Sequence, residues 1–428
     1  MEAYLVEFGN LLLRWLHVIA AIAWIGESIY FVMLDNSLRP PQAESTRKKG
    51  VLGEMWAVHG GGFYHNQKYQ TAPAELPKDL HWSFWKSYTT WLSGFALFAI
   101  MYMSNPTFFL ANPGSPWEWV RNLEGWQLNV VALVFLLGGW VVYDQLCRRI
   151  SPNMERDGVL SVAVAIMMVV VAWLSIQIFQ GRAAFLITGA VMATAMSANV
   201  FFWIIPGQRR MVNAMKKGDA PNPIDGKRGK QRSVHNTYFT LPVVFLMLSN
   251  HYSFTYTSEY AWIIMSLFIF SGALIRQYFV LMHMGQNKIA YPIAGVLLLV
   301  IVAVLAAPSV KPKPDATAAN TTTGQSSQAP ATRIENGAET GAGAPRQTGT
   351  AMTRVQQIMN DRCVQCHAAK PSYPGFASAP AGIALETPAD ILANPALVKQ
   401  VTANKYMPLG NITKMTDEER ELIANWTP

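Results

Sequence analysis

One short motif of cysteine and histidine gives the clearest chemical signal in this chain. Cys363-Val364-Gln365-Cys366-His367 has the C-x-x-C-H pattern, in which two thiols bond covalently to a haem and the histidine ligates its iron. The chain has only three cysteines, and two of them lie here. A redox or zinc-binding C-x-x-C is the alternative, but zinc needs further ligands, and apart from His367 no histidine follows His283. The motif therefore predicts one covalent haem c, which carries electrons.

The sequence around the motif, residues 350–428, resembles a class I cytochrome c domain. Apolar residues at helical spacing lead into the motif, and Thr416 begins a capping-box pattern that predicts a final helix. That fold generally uses a methionine as the second axial ligand. Met407 is the better candidate, and Met415 is its rival because it leads directly into the last helix. The predicted iron ligands are therefore His367 and Met407.

Composition divides the rest of the chain into a linker and a membrane domain. Residues 308–349 are rich in Ala, Thr, Gly, Pro, Ser and Gln, so we interpret them as a disordered linker with an r.m.s. span of roughly 35 Å. Overall, 51% of residues are hydrophobic and 14% are charged. Eight apolar segments within residues 1–307 approach the ~20 residues that cross a ~30 Å hydrocarbon core, which predicts an all-α, polytopic membrane bundle. The segments are about Leu11–Leu34, Tyr88–Met103, Trp126–Leu146, Val159–Phe179, Ala183–Ile205, Thr237–Asn250, Trp262–Met282 and Ile289–Ala307.

Charges in the loops orient this predicted bundle. Lysine and arginine concentrate in alternate loops, and the stretch from Pro206 to Asn236 is the most basic. The positive-inside rule then places both chain ends outside the cytoplasmic membrane, where bacteria attach c-type haem. We therefore expect a bacterial inner-membrane protein with a periplasmic cytochrome domain. The net charge of +8 is interpreted as a topology signal, not as evidence for nucleic-acid binding.

Ionisable residues inside the predicted spans are costly and are therefore functional candidates. Glu27 in the first span and Arg276 in the seventh lie at similar depth in the inner half, so we expect that they can pair. His81, His235 and His283 fall near the same inner face. We predict catalytic roles for all five residues; a structural ion pair between Glu27 and Arg276 is the alternative.

Two further histidines, His17 and His251, lie near the predicted outer face. A buried haem b needs one or two histidines on facing helices, and this pair would lie next to the cytochrome. The pair is therefore our candidate for a second, b-type haem. An interfacial or core position is the alternative interpretation of each residue.

Several motifs together indicate a family. The chain combines Arg14-Trp15-Leu16-His17 and Trp24-Ile25-Gly26-Glu27 with a His59-Gly60-Gly61-Gly62-Phe63-Tyr64 loop, His81-Trp82-Ser83-Phe84-Trp85 and the C-terminal haem motif. Over nearly its whole length it resembles the bacterial integral-membrane cytochrome c urate oxidases, the urate hydroxylase PuuD family. The resemblance implies two-electron oxidation of urate to 5-hydroxyisourate with oxygen from water and no peroxide release. Electrons would pass through the attached cytochrome to a terminal oxidase or a soluble cytochrome c.

These expectations combine into one mechanistic hypothesis. Arg276 neutralises the urate anion, Asn199 and loop donors hold its edges, and Glu27 or an inner histidine takes protons and activates water. Electrons would then cross much of a ~30 Å core, which motivates the second haem. The alternatives are a quinol or other small-molecule dehydrogenase, a non-enzymatic electron conduit, and a transporter or sensor fused to a cytochrome. No nucleotide or flavin fingerprint is present, so no nicotinamide route is expected.

Overall fold

A computed structural model of the chain describes residues 2–69, 71–307, 347–373, 379–380, 383–403 and 405–426. They form two compact units, one made of Met1–Ala306 with Val401–Met415 and the other of Ala307–Gln400 with Thr416–Pro428. The predicted linker lies outside the described residues as far as residue 346, and a helix begins at Gln347.

Eight helices of 14 residues or more dominate the described part of the first unit. They are α1 (Glu2–Ser37), α2 (Trp85–Phe98), α3 (Gly125–Ile150), α4 (Asp157–Ile178), α5 (Gly181–Ala198), α6 (Pro223–Leu248), α7 (Ala261–His283) and α8 (Ala290–Leu305). Shorter helical stretches are Glu44–Lys48, Ala99–Met103, Pro106–Phe109, Glu118–Arg121, Asn199–Ile204, Ile205–Lys216, Ser249–His251, Ser253–Tyr256 and Leu409–Asn411.

Five of these helices are long and apolar enough to cross a membrane, namely α1, α3, α4, α5 with its continuation to Lys216, and α7. By length and composition these helices fit a multi-pass membrane protein. The other three long helices do not meet this requirement of length and apolar composition. Helices α2 and α8 have 14 and 16 residues, and the first half of α6 carries Lys227, Arg228, Lys230 and Arg232. Their membrane crossing, and hence the count of eight, stays a prediction.

Helix α5 is the centre of the bundle because small residues let its neighbours approach closely. In the most apolar 18-residue window of α5 and its continuation, 72% of the window is buried, whereas the corresponding share for α1 is 11%. A Cβ atom added at Gly189 would lie 2.9 Å from Leu246 of α6, and one at Gly139 of α3 would lie 2.5 Å from Val191 of α5. Close helix packing at small residues replaces the hydrophobic effect as the main packing force inside a membrane.

A β-hairpin corrects the all-α expectation. Strand β1 (Val51–His59) pairs antiparallel with β2 (Gly62–Tyr69), and the register closes on His59 opposite Gly62. Gly60 and Gly61, with φ of 57° and 81°, provide the positive dihedral angles that a two-residue hairpin turn requires. The glycines thus serve the turn. The Glu54 carboxylate holds His65 Nε2 at 2.9 Å, so this histidine is used within the hairpin.

The C-terminal part of the chain contains α9 (Gln347–Arg362), α10 (Pro388–Ala393), α11 (Pro395–Ala403) and α12 (Asp417–Asn425). In the second unit α9 packs against α12, and the side chains of Val355, Ile358 and Ile423 are buried. The predicted helix start at Thr416 is confirmed, because its hydroxyl caps α12 in a capping box with Glu419.

Candidate functional site

The C-x-x-C-H residues of the second unit hold their histidine in one orientation. His367 Nδ1 donates a hydrogen bond to the Ile383 carbonyl at 2.8 Å, which orients the ring and leaves Nε2 as the ligating nitrogen. Burial raises the pKa of the Cys363 thiol to about 12 and also raises that of Cys366. Burial thus favours the uncharged thiols, whereas redox C-x-x-C pairs generally have lowered pKa values.

A zinc site is not supported either. Among the described residues, no three His, Cys, Asp or Glu side chains group together as metal ligands. The residues present therefore fit a covalently attached haem c, held through Cys363, Cys366 and His367. Met407 belongs to the first unit, where its backbone N–H donates to the Val401 carbonyl at 2.8 Å. Its role as second axial ligand stays a prediction.

In the first unit, Glu27 and Arg276 do not form the expected pair. The Glu27 carboxylate accepts hydrogen bonds from Ser83 Oγ at 2.6 and 2.7 Å and pairs with Lys86 Nζ at 3.0 Å. Arg276 is 4% exposed, and its Nε and one terminal nitrogen are buried without a partner among the described residues. The expectation of mutual pairing is therefore wrong, because α2 brings its own cation to Glu27.

The three inner histidines lie in three different settings. His81 is exposed beside an open depression of about 580 Å³. His235 Nδ1 lies 2.8 Å from the hydroxyl of Tyr143, and His283 is half-buried at the end of α7. None of these contacts creates a shared catalytic centre, and the catalytic roles of these histidines remain predictions.

A buried polar network engages Asn199, the predicted substrate anchor. Its Nδ2 donates to the Tyr143 hydroxyl at 3.0 Å and to Asn236 Oδ1 at 2.9 Å. Its Oδ1 accepts from Arg232, whose guanidinium also pairs with Asp144 at 2.8 Å. Because both amide hydrogens are used, Asn199 has no free donor for a ligand, and its position is explained by this network.

A cavity of about 330 Å³ lies between α1, α2, α5 and the end of α6. His17 and His251, which the sequence placed near one face, both line it. Its other polar lining includes Arg14, Arg182 and Asn250. Aromatic and aliphatic side chains form its walls, including Trp24, Trp91, Phe95, Phe98 and Leu136. Two guanidinium groups and no carboxylate line this space, so its electrostatic preference is for an anion.

The cavity lies at the end of the bundle where α8 ends. Arg182 is the second residue of α5, whose first residue, Gly181, lies against the Tyr256 carbonyl so closely that a Cβ would come within 2.3 Å. Ser258 follows Tyr256 by two residues, and its Oγ donates a hydrogen bond to the Leu305 carbonyl at the end of α8, at 3.2 Å.

His17 is held in one orientation by α2. Its Nδ1 lies 3.0 Å from the Thr90 carbonyl and 3.1 Å from Ser93 Oγ. A carbonyl can only accept, so Nδ1 carries a proton, and in the neutral imidazole Nε2 is then the acceptor nitrogen. Gly94 gives the ring its space, because a Cβ there would lie 2.8 Å from His17 Cε1. The ring therefore presents a basic nitrogen to the cavity that it lines.

The guanidinium of Arg182 is positioned by Asn250. Arg182 Nε donates to Asn250 Oδ1 at 3.3 Å, and the Tyr102 hydroxyl donates to the same oxygen at 3.1 Å. Arg14 Nε donates to Asn10 at 2.8 Å and contacts Met101 with a terminal nitrogen. The sequence analysis did not select Arg14, Arg182 or Asn250. A signal in the sequence could have found the two arginines. Arg14 and Arg182 are cations at the predicted outer end of their spans, where the positive-inside rule disfavours cations.

These features define a multi-pass helical membrane protein with a cationic internal cavity and a C-terminal C-x-x-C-H motif. The chain belongs to the urate oxidase N-terminal family, whose match covers residues 3–307. Membership indicates an oxidoreductase with a role in urate oxidation. No curated protein and no solved structure matches the chain.

Proposed function

We propose that the chain oxidises urate in its membrane unit and passes the electrons to a haem c on its C-terminal segment. One observation carries the proposal. The family match over residues 3–307 and a C-x-x-C-H motif occur in one chain, and the motif's His367 is already oriented by the Ile383 carbonyl. A haem c supplies a one-electron acceptor when bound, so substrate oxidation and electron transfer are covalently linked.

The reaction balances without dioxygen. Urate and water give 5-hydroxyisourate, two protons and two electrons, with the new oxygen taken from water. Two electrons leave in single-electron steps, and a terminal oxidase or a soluble cytochrome c removes them from the chain. Hydrogen peroxide is not a product, because no oxygen molecule is reduced at the substrate site. The periplasmic position of the C-terminal unit is part of this proposal.

A visible spectrum of the full-length, detergent-solubilised protein tests the proposal. The protein is oxidised with ferricyanide, desalted and mixed with urate under argon. We expect the α band of reduced c-type haem to grow while urate absorbance falls, with two haems reduced for each urate consumed. Reduction by dithionite but not by urate would refute the substrate. Reduction by a quinol instead would establish a quinol dehydrogenase.

A matched pair of cysteine variants tests the haem attachment. Cys366→Ala removes one predicted thioether, whereas Cys147→Ala removes the buried thiol outside the motif. We expect the covalent haem, measured by pyridine haemochrome after acid–acetone extraction, to be lost or altered only in Cys366→Ala. Unchanged covalent haem in Cys366→Ala would contradict the attachment site.

A further inference from the structure

We propose that the cavity lined by His17, Arg182 and Asn250 is the urate site, and that His17 is the base that accepts a proton there. This inference rests on the proposed function and adds the place and the proton acceptor to it. The sequence instead favoured the inner half of the bundle and Arg276. Charge, shape and a free base together favour the cavity.

Charge is the first argument. Urate is an anion at neutral pH, and the cavity has Arg14 and Arg182 among its lining residues without any Asp or Glu. Arg182 donates its Nε to Asn250 and lines the cavity, and a guanidinium is the side chain best suited to a planar contact with urate oxygens. The dipole of α5 adds to this attraction, because Arg182 lies in its first turn.

Shape is the second argument. A volume of about 330 Å³ lies at the lower end of the range for small-ligand sites. It accommodates a bicyclic purine, which is much smaller than a porphyrin. Trp91 and Phe95 lie parallel along α2 with ring centroids 5.3 Å apart, and flat aromatic walls favour stacking on a planar ligand. The cavity therefore favours urate over the b-type haem predicted for His17 and His251.

His17 also provides a proton acceptor at the cavity. Because Nδ1 donates to the Thr90 carbonyl, Nε2 is the basic nitrogen of the neutral His17 ring. As the water oxygen bonds to carbon 5 of the purine, one water proton passes to Nε2, and the two electrons would leave in successive one-electron steps to ferric c-type haem, which a terminal oxidase or a soluble cytochrome c would reoxidise. The rival carboxylate, Glu27, is already engaged by Ser83 and Lys86. In the described part of the bundle, His17 thus combines an available base with nearby cations.

Equilibrium dialysis with radiolabelled urate measures the binding site without turnover. The holoprotein is first reduced with dithionite, so that its haem accepts no electrons and urate persists. We expect Arg182→Gln to weaken binding about tenfold or more and Arg182→Lys to weaken it less. The control Arg149→Gln changes an exposed arginine of α3, and its affinity should equal that of the wild type. Haem content and thermal unfolding verify that each variant is folded.

The same assay separates the two candidate anion sites. Unchanged affinity in Arg182→Gln, or loss of affinity in Arg276→Gln alone, would overturn the placement in this cavity. Failure of the proposed function gives a different result from failure of this placement. If the function is wrong, the wild-type protein neither binds urate nor is reduced by it.

A second variant tests the base. We expect His17→Gln to keep urate affinity within about threefold, since Arg182 and Asn250 remain, but to slow single-turnover haem reduction by about a hundredfold or more. An unchanged reduction rate would exclude His17 as the base. The pyridine haemochrome of wild-type protein should show c-type haem alone. A b-type signal that disappears in His17→Gln would instead assign the cavity to a second haem.

Discussion

Replacing Gly94 by alanine should impair the reaction without unfolding the protein. Gly94 lies in the middle of α2, directly against the ring of His17. An added methyl group would lie 2.8 Å from His17 Cε1 and 3.3 Å from Nδ1. Because α2 and α1 are packed helices, we expect the imidazole to move and the backbone to stay. Gly94 thus acts through His17 as a positioning residue.

The size of the effect follows from these distances. Restoring an ordinary carbon–carbon contact requires a ring displacement of about 0.6 Å. The hydrogen bond from Nδ1 to the Thr90 carbonyl, now 3.0 Å, then approaches the limit at which such bonds are weak. A displacement near 1 Å costs about a hundredfold in rate, so we expect a fall of about tenfold to a hundredfold. Alanine also favours a helix over glycine by about 1 kcal/mol, which offsets part of the strain.

Single-turnover reduction of the haem by urate measures the rate, and thermal unfolding in detergent measures stability. Gly138→Ala is the matched control, because a Cβ at this α3 position meets nothing within 4 Å. The decisive comparison is between the His17→Gln variant and the double variant that also carries Gly94→Ala. If Gly94 acts through His17, adding Gly94→Ala to His17→Gln changes the reduction rate little. Independent, additive rate losses, or a full rate in Gly94→Ala, would refute the reasoning.

Three other predictions concern stability. Asp144→Ala should destabilise the bundle by about 3–5 kcal/mol in detergent unfolding, since it leaves Arg232, with a 3% exposed side chain, without its buried carboxylate partner. Thr416→Ala should cost about 1 kcal/mol in denaturant unfolding of the C-terminal unit, whereas Thr416→Ser should cost little. Burial alone would raise the pKa of Glu419, but hydrogen bonds from Arg362 and the Thr416 backbone lower it. This carboxylate therefore contributes stability above the ordinary pKa of glutamate, and we expect that contribution to vanish as acid protonates it; Glu419→Gln should flatten this part of the pH–stability curve.

Local patterns in the sequence were sufficient wherever neighbouring residues decide the structure. The capping box at Thr416 depends on four consecutive residues, and the structure confirms it. Apolar segments overlap all eight long helices, because a helix that packs in a bundle or crosses a membrane requires an apolar run. The hairpin was not predicted, although Gly60 and Gly61 can provide the two positive dihedral angles that a two-residue hairpin turn requires.

Contacts between distant residues could not be predicted in this way. Glu27 and Arg276 lie at similar depth, but depth leaves the rotation of each helix undetermined. The contact between α1 and α2 decided the outcome, and it brought Lys86 to Glu27. Asn250 and Arg182 are 68 residues apart and meet only because the end of α6 lies beside the start of α5. Such pairs depend on helix packing that no local pattern specifies.

The position of the cavity also changes the electron-transfer problem. A substrate beside Arg276 would lie in the inner half of the bundle and would need a relay across much of a ~30 Å core. The proposed site at His17 lies instead near the end of α8. Under the proposal, attraction of the urate anion outweighs the cost of placing Arg14 and Arg182 against the positive-inside rule.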